Sequence, residues 1–244
     1  MWQTFRRWGT SATAVLMCSW LVAWPLGVWA QAKASTPPVL RVMTHSSFDL
    51  PKPLLVQFEK DAGVKLQLVK GGDAGEMLNR LVLTRANPIA DVVFGIDNAL
   101  WHKAQAAQVL DVYDGPAARR PSVAEVGAGV VPVTYGFVNL NADKAWLARE
   151  KRSVPTSLME LTRPEWAGKL VVPNPVTSSP GLAFLLATVG GLGEEAAFAW
   201  WAQMRANGLK VVKGWSEAYY TEFSRNGGSR PLVVSYASSP AAEV

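Results

Sequence analysis

Val64-Lys65-Leu66-Gln67-Leu68-Val69-Lys70-Gly71-Gly72-Asp73-Ala74-Gly75-Glu76-Met77-Leu78 changes its period halfway along. The first six residues alternate apolar and polar, as a strand with one inward face does. Gly71-Gly72 turns the chain. Asp73 then opens a helix, with Glu76 completing a capping box and Met77, Leu78, Leu81 and Val82 facing inward. Upstream, residues 39–43 read as a strand. Residues 51–62 read as a helix with Leu54, Leu55 and Phe58 on one face, stopped by Gly63. Downstream, Asp91-Val92-Val93-Phe94 suits a buried strand and residues 98–108 a helix. Strands alternating with helices predict a parallel-rich α/β sheet.

The alternation pauses at 131–140, a strand-like run carrying Pro132 and Gly136, read as a strand crossing between two domains. A second α/β set follows, with strands at 170–172, 209–212 and 231–236. Its helices fall at 180–189, 194–206 and 216–224. Residues 239–244 read as the start of a helix. The chain has no internal repeat and no low-complexity tract. The expected organisation is a leader at 1–32, a first lobe at 33–134, a second at 135–235, and a return crossover at 236–244.

The leader has a positive start (Arg6, Arg7), an uncharged apolar run from Ala12 to Ala30, and a small-residue step at Ala30-Gln31-Ala32. That layout reads as a cleaved secretory signal peptide, with an uncleaved anchor as the alternative. Arg6-Arg7 hints at twin-arginine export, although Trp8-Gly9 fits it poorly. Cys18, the single cysteine, lies in this run behind Met17, a poor setting for lipidation. The processed chain then has no thiol, which excludes disulfides, cysteine-bound metals and a cysteine nucleophile. Its net charge of +5 falls when the two leader arginines leave, and the remaining charges are interspersed. No basic block marks a nucleic-acid partner.

Ligands of open parallel sheets bind beyond the carboxyl ends of the strands. Those positions hold Thr44 and His45; Gly71, Gly72 and Asp73; Gly95 and Asp97; Thr177, Ser178 and Ser179; Lys213, Gly214 and Trp215; and Tyr236, Ala237 and Ser238. Ser179 is expected to cap a helix with Pro180 at its first position. The free amides there, with the Thr177 and Ser178 hydroxyls, make either an anion site or a well-capped helix that binds nothing. Trp215 and Tyr236 either stack a flat or cationic ligand or pack in the core. Asp73 and Asp97 suit a cation. His45 and His102 are too few and too far apart for a zinc site.

Four segments carry a resemblance: 90–98 (Ala-Asp-Val-Val-Phe-Gly-Ile-Asp-Asn), 175–181 (Pro-Val-Thr-Ser-Ser-Pro-Gly), 213–219 (Lys-Gly-Trp-Ser-Glu-Ala-Tyr) and 235–241 (Ser-Tyr-Ala-Ser-Ser-Pro-Ala). In this order and spacing the chain, from about Leu40 onward, resembles the periplasmic thiamine-binding proteins of ABC transporters. The resemblance implies a two-lobed type II periplasmic binding protein fold with a ligand cleft between the lobes. It implies a periplasmic, non-enzymatic monomer without cofactor or metal. Such a protein hands thiamine or a thiamine phosphate to an inner-membrane permease.

Matching positions put Asp73 and Ala74 in the cleft from the first lobe, and Ser178, Ser179 and Trp215 from the second. Tyr236, Ala237, Ser238 and Ser239 would meet the ligand at the return crossover. His45, Tyr135 and Asp97 complete the candidate set. The chain departs from the family in Asp73-Ala74-Gly75 where an Asp-Gly step is usual, in His45 where an aromatic is usual, and in Tyr220 beside Tyr219. The family also continues past Val244, so a chain ending there is expected to have an incomplete cleft and to be poorly soluble. The rival reading is a same-fold binder of Fe(III), suggested by Tyr219-Tyr220, or of a polyamine. A thiamine-processing enzyme of this fold would need the cysteine that the processed chain lacks.

Overall fold

Two sheets carry the chain, and each grows from the strand-then-helix alternation. The computed structural model describes residues 36–119, 126–127 and 129–243; the leader read at 1–32, with Cys18, lies outside them. Strands β1 (Val39–Thr44), β2 (Lys65–Lys70) and β3 (Val92–Phe94) form a three-stranded sheet in the order β2-β1-β3. Both pairings are parallel, with Met43 opposite Val69 and Val93. Helix α1 (Lys52–Ala62) joins β1 to β2, and α2 (Ala74–Leu83) joins β2 to β3. Helix α3 (Asn98–Ala106) follows β3 and ends two residues before the expected 108.

The second sheet has the order β4-β7-β5-β6, from β4 (Val138–Ala142), β5 (Leu170–Pro173), β6 (Lys210–Val212) and β7 (Leu232–Tyr236). β5 pairs in parallel with β6 and β7, while β4 pairs antiparallel with β7. The crossing strand is shorter than the 131–140 expected. Its ladder begins at Val138, because Pro132 has no amide to give and Gly136 favours irregular backbone. Before it, Val133, Tyr135 and Phe137 stand exposed.

Helices α4 (Lys144–Arg149), α5 (Ser179–Leu192) and α6 (Glu194–Ala206) cover this sheet. α6 has the expected bounds, with Glu194 and Glu195 in its first turn and Arg205 in its last, each complementing the helix dipole. Gly193, at φ +81°, separates α5 from α6 in a conformation a side chain disfavours. The helix expected at 216–224 is broken. A short turn, α7 (Trp215–Glu217), runs into a π-turn over Ala218–Glu222, in which the Phe223 amide reaches the Ala218 carbonyl at 3.0 Å. The tail expected as helix is a 3-10 turn, Ser239–Glu243.

The two sheets differ in how far they are buried. In the second, Leu170, Val172, Leu232 and Val234 pack with Trp146, Trp166, Phe184 and Trp200. The Trp200 indole donates to the Leu158 carbonyl at 2.8 Å, so its polar edge costs nothing in the core. In the first, α1 has no buried residue, and Leu54 and Phe58 are exposed where an inward face was expected. α1 packs chiefly on β2, the edge strand of its sheet, so its outer side meets solvent. Val82 of α2 is likewise exposed, while Met77 and Leu78 are fully buried.

Core truncation should therefore act unequally. Leu232→Ala, at a site 1% exposed in the interior of the second sheet, should lower the unfolding free energy by about 2–5 kcal/mol. Leu54→Ala, 57% exposed, should change it by under about 0.5 kcal/mol. Urea denaturation of the two variants beside wild type checks the contrast; equal losses would mean that α1 is covered in solution.

Candidate functional site

Asp73 stands where β2 ends and α2 begins, after the Gly71-Gly72 turn. Its backbone is extended and its Oδ1 accepts the Ala74 amide at 2.8 Å, so it caps α2 as expected. Its other oxygen, Oδ2, accepts the amide of Trp215 at 2.8 Å, a residue that belongs to the second sheet. The capping box is not made. Glu76 instead places its carboxylate 3.0 Å from Lys213 Nζ, where a full positive charge outcompetes a backbone amide.

The next α2 amides also leave their own lobe. Gly75 N donates to the Thr177 carbonyl at 2.9 Å and Glu76 N donates to the same oxygen at 3.4 Å. Across the boundary, the Thr177 hydroxyl donates to the Lys213 carbonyl at 2.5 Å, tying together the loops after β5 and β6. Ser47 and Ser216 hydroxyls meet at 3.1 Å. Leu182 of α5 packs against the cluster of Ala74, Leu78, Leu100 and Ala104.

Ser178, rather than Ser179, is the N-cap of α5, so the helix begins one residue earlier than expected. The Ser178 hydroxyl caps nothing. It is 2% exposed and has no hydrogen-bond partner. An orphaned buried hydroxyl costs about 1–3 kcal/mol, and here it sits among the first amides of a helix, which lack intrahelical acceptors. Ser179 beside it is also buried. Thr44 Oγ1, at the end of β1, is the other buried hydroxyl without a partner among the described residues.

Trp215 is held on three sides. Its ring stacks on Tyr219 at 5.1 Å and 16°, and Tyr220 meets it edge-on at 5.3 Å. Its indole N–H donates to Ser235 Oγ at 2.7 Å, and Ser235 Oγ lies 2.7 Å from Ser239 Oγ. One indole face is thus taken by protein. The stack is possible because the π-turn brings Tyr219 under Trp215. Tyr219 itself is 2% exposed and packs with Val171, Val212, Phe223 and Val233, a core role. Tyr220 is exposed and meets Tyr219 edge-on, with ring centroids 5.6 Å apart at 87°.

Tyr236 closes the group. Burial, and then the negative charges of Asp73 and Asp97, push its phenol well above the ordinary value, so it stays neutral and able to donate. Asp97 caps α3 through the Leu100 amide at 2.9 Å. His45 lies against Phe48 and Phe94, with ring centroids 6.3 and 5.9 Å away. Burial lowers its pKa, Asp73 raises it and Lys70 lowers it.

The structure therefore brings Asp73, Ala74, Trp215, Ser235 and Ser239 into one bonded network. Ser178 and Ser179 follow directly on Thr177, and Tyr236, Asp97 and His45 lie within electrostatic reach of one another through Asp73 or Tyr236. Ala237 and Ser238 are exposed, with Ala237 N donating to the Phe137 carbonyl at 2.8 Å. Tyr135 is exposed and its ring contact is with Phe137 at 6.2 Å. The sequence reading placed Lys213 at a strand end and Glu76 in a capping box without pairing the two, and it missed Ser235. Ser235 sits inside β7, where nothing in the local sequence marks it as a partner of Trp215. Grooves of about 410 Å³ beside Asp143 and Ser224, and about 270 Å³ between α1 and β2, contain none of the site residues. No group of three or more His, Cys, Asp or Glu side chains fit to hold a metal occurs among the described residues.

Two α/β lobes offering strand-end loops to one another are the fold of the type II periplasmic binding proteins. Residues 87–244 match the family of bacterial extracellular solute-binding proteins, and the chain belongs to that family. It is 35% identical over 225 residues to the thiamine-binding periplasmic protein of Salmonella typhimurium. That match covers 89% of this chain, and the chain spans 65% of the relative's length. A solved structure titled periplasmic thiamin binding protein superposes with a TM-score of 0.71 at 34% identity, covering 84% of this chain and 64% of that one. Iron-bound HitA of Pseudomonas aeruginosa, at 21% identity and a TM-score of 0.63, covers 82% of this chain and 63% of its own and shares the fold.

The His45 environment has a measurable consequence. Its folded pKa lies below the ordinary 6.5, so as pH falls the unfolded chain takes up the proton first. Stability is then complete above about 6.5 and declines below it. Unfolding midpoints measured from pH 7.5 to 5 should fall, and His45→Phe should flatten that decline; an equal slope in both proteins would place the titration elsewhere.

Proposed function

We propose that this chain is the solute-capturing part of an ABC importer, working in the periplasm and delivering thiamine or a thiamine phosphate to an inner-membrane permease. In this reading residues 33–134 and 135–235 are two lobes that close on the ligand, joined again by a return crossover at 236–244. The leader at 1–32 directs export. The protein binds its ligand as a monomer and does no chemistry on it.

The observation that carries the reading is the convergence of Trp215 and Tyr236 on Asp73, with the orphaned Ser178 hydroxyl one residue beyond the Thr177 carbonyl that meets α2. The carboxylates of Asp73 and Asp97 favour a cation. The half-buried Trp215 ring, stacked on Tyr219 from one side, favours a flat ring on its other. The neutral phenol of Tyr236 offers a hydrogen bond that does not depend on pH. The buried Ser178 hydroxyl and the first amides of α5 favour an anionic group. A thiazolium ring, an aminopyrimidine and a phosphate together present this mixture of demands. The likeness to thiamine-binding relatives supports the same ligand, and the buried, stacked Tyr219 speaks against the iron alternative.

Calorimetry with thiamine, its monophosphate and its diphosphate tests the proposal; no heat with any of them would refute it. Trp215→Ala should weaken thiamine binding by roughly 1–3 kcal/mol. Ser178→Ala should weaken the phosphorylated ligands by about 1.5–3 kcal/mol and thiamine by about 1 at most, since a hydrogen bond to a charged group is the stronger. Equal losses would move Ser178 away from the phosphate.

A further inference from the structure

Gly75 is the second residue of α2 and lies where the two lobes meet. A Cβ built on it would stand 2.5 Å from the Val176 carbonyl oxygen and 3.0 Å from the Thr177 Cα and carbonyl carbon. These are backbone atoms of the opposite lobe, so no side-chain rotation relieves the overlap. The same residue donates its amide to the Thr177 carbonyl at 2.9 Å. Around that point lie Asp73 with the Trp215 amide, Glu76 with Lys213, and Ser47 with Ser216. Gly214 faces Asp73 from the other side, its absent Cβ 2.9 Å from Asp73 Oδ2.

Local structure does not call for glycine at 75. The position is in a helix, and Gly75 is not among the glycines with positive φ. In a helix, Ala is the better residue. The reason for glycine is therefore the approach of the other lobe.

We propose that Gly75 is a positioning residue for lobe closure: its missing side chain lets the Thr177 carbonyl dock on the N-terminus of α2, and this docking sets the closed geometry of the site. The inference rests on the binding-protein reading above. Thr177 carries Ser178 and the start of α5 with it, so seating Thr177 on α2 places the Ser178 hydroxyl relative to Asp73. The same seating holds Trp215 through Asp73 Oδ2. A side chain at 75 would force the lobes apart and lengthen the bonds at the boundary together. Ligand affinity then falls by the fraction of molecules that can no longer close.

The test compares Gly75→Ala with Gly190→Ala, the same change at a helix position where a Cβ meets nothing within 4 Å. Three readouts are taken: thiamine affinity, thermal midpoint, and hydrogen exchange at the residue 76 amide with and without thiamine. The expected result for Gly75→Ala is a thermal midpoint no lower than wild type, affinity weaker by roughly tenfold or more, and loss of protection at the residue 76 amide. Gly190→Ala should keep wild-type affinity and protection. Gly214→Ala should fall between the two, because its obstacle is a side-chain oxygen.

Gly75→Ala binding within about twofold of wild type with its residue 76 amide still protected would overturn the proposal. So would affinity lost together with a lower thermal midpoint, since that pattern means a damaged helix, and so would a wild type unprotected at residue 76 in both states. A wild type that binds no thiamine but shows protection lost only in Gly75→Ala would refute the ligand and leave the closure role standing.

Discussion

The Asp73 carboxylate is the point on which the site turns, because its two oxygens serve two lobes. Oδ1 satisfies the start of α2, and Oδ2 accepts the Trp215 amide. The partial positive charge of a helix N-terminus complements a carboxylate placed there. Its charge is then felt by His45 and Tyr236. One side chain thus caps a helix, links the sheets and sets the electrostatic character of the strand ends.

The two lobes bring different physical resources to that point. The second sheet is covered on both faces, and the Trp200 and Trp201 indoles find acceptors, so the loops after β5 and β6 stand on a rigid base. The first sheet is small, and α1 lies on its edge strand with Leu54, Val56 and Phe58 exposed. What order the first lobe lends the site comes mainly from α2, whose Met77 and Leu78 are buried beneath the capping turn. The cross-lobe bonds join the rigid base to this one well-packed helix.

Stacking and hydrogen bonding divide the labour around Trp215. The Tyr219 ring removes one indole face from solvent, and Ser235 and Ser239 fix the orientation of the other. A ring oriented in advance loses little freedom when a ligand stacks on it. Ser178 is the counterpart, a hydroxyl already desolvated by burial and left without an acceptor or donor of its own.

Much of this was legible in the sequence. The alternation of Val64–Val69, the glycine turn and the apolar spacing of Met77 and Leu78 mark a β-α unit, and the bounds of α6 follow from Gly193, Glu194 and Arg205. The strand-end rule gathers Asp73, Ser178, Trp215 and Tyr236 before any contact is known. These features depend on neighbours within a few residues, where periodicity and capping leave a signature. Glu76 pairing with Lys213, Trp215 lying on Tyr219 through a π-turn, the exposure of Leu54, Phe58 and Val82, and the need for glycine at 75 leave none. The Trp215–Tyr219 stack hangs on a local π-turn that apolar spacing does not announce, and the others depend on residues brought together from distant parts of the chain, as Asp73 and Trp215 are across 142 positions. Local sequence determined which residues reach the strand ends; only the packing of one lobe against the other decided what each of them touches there.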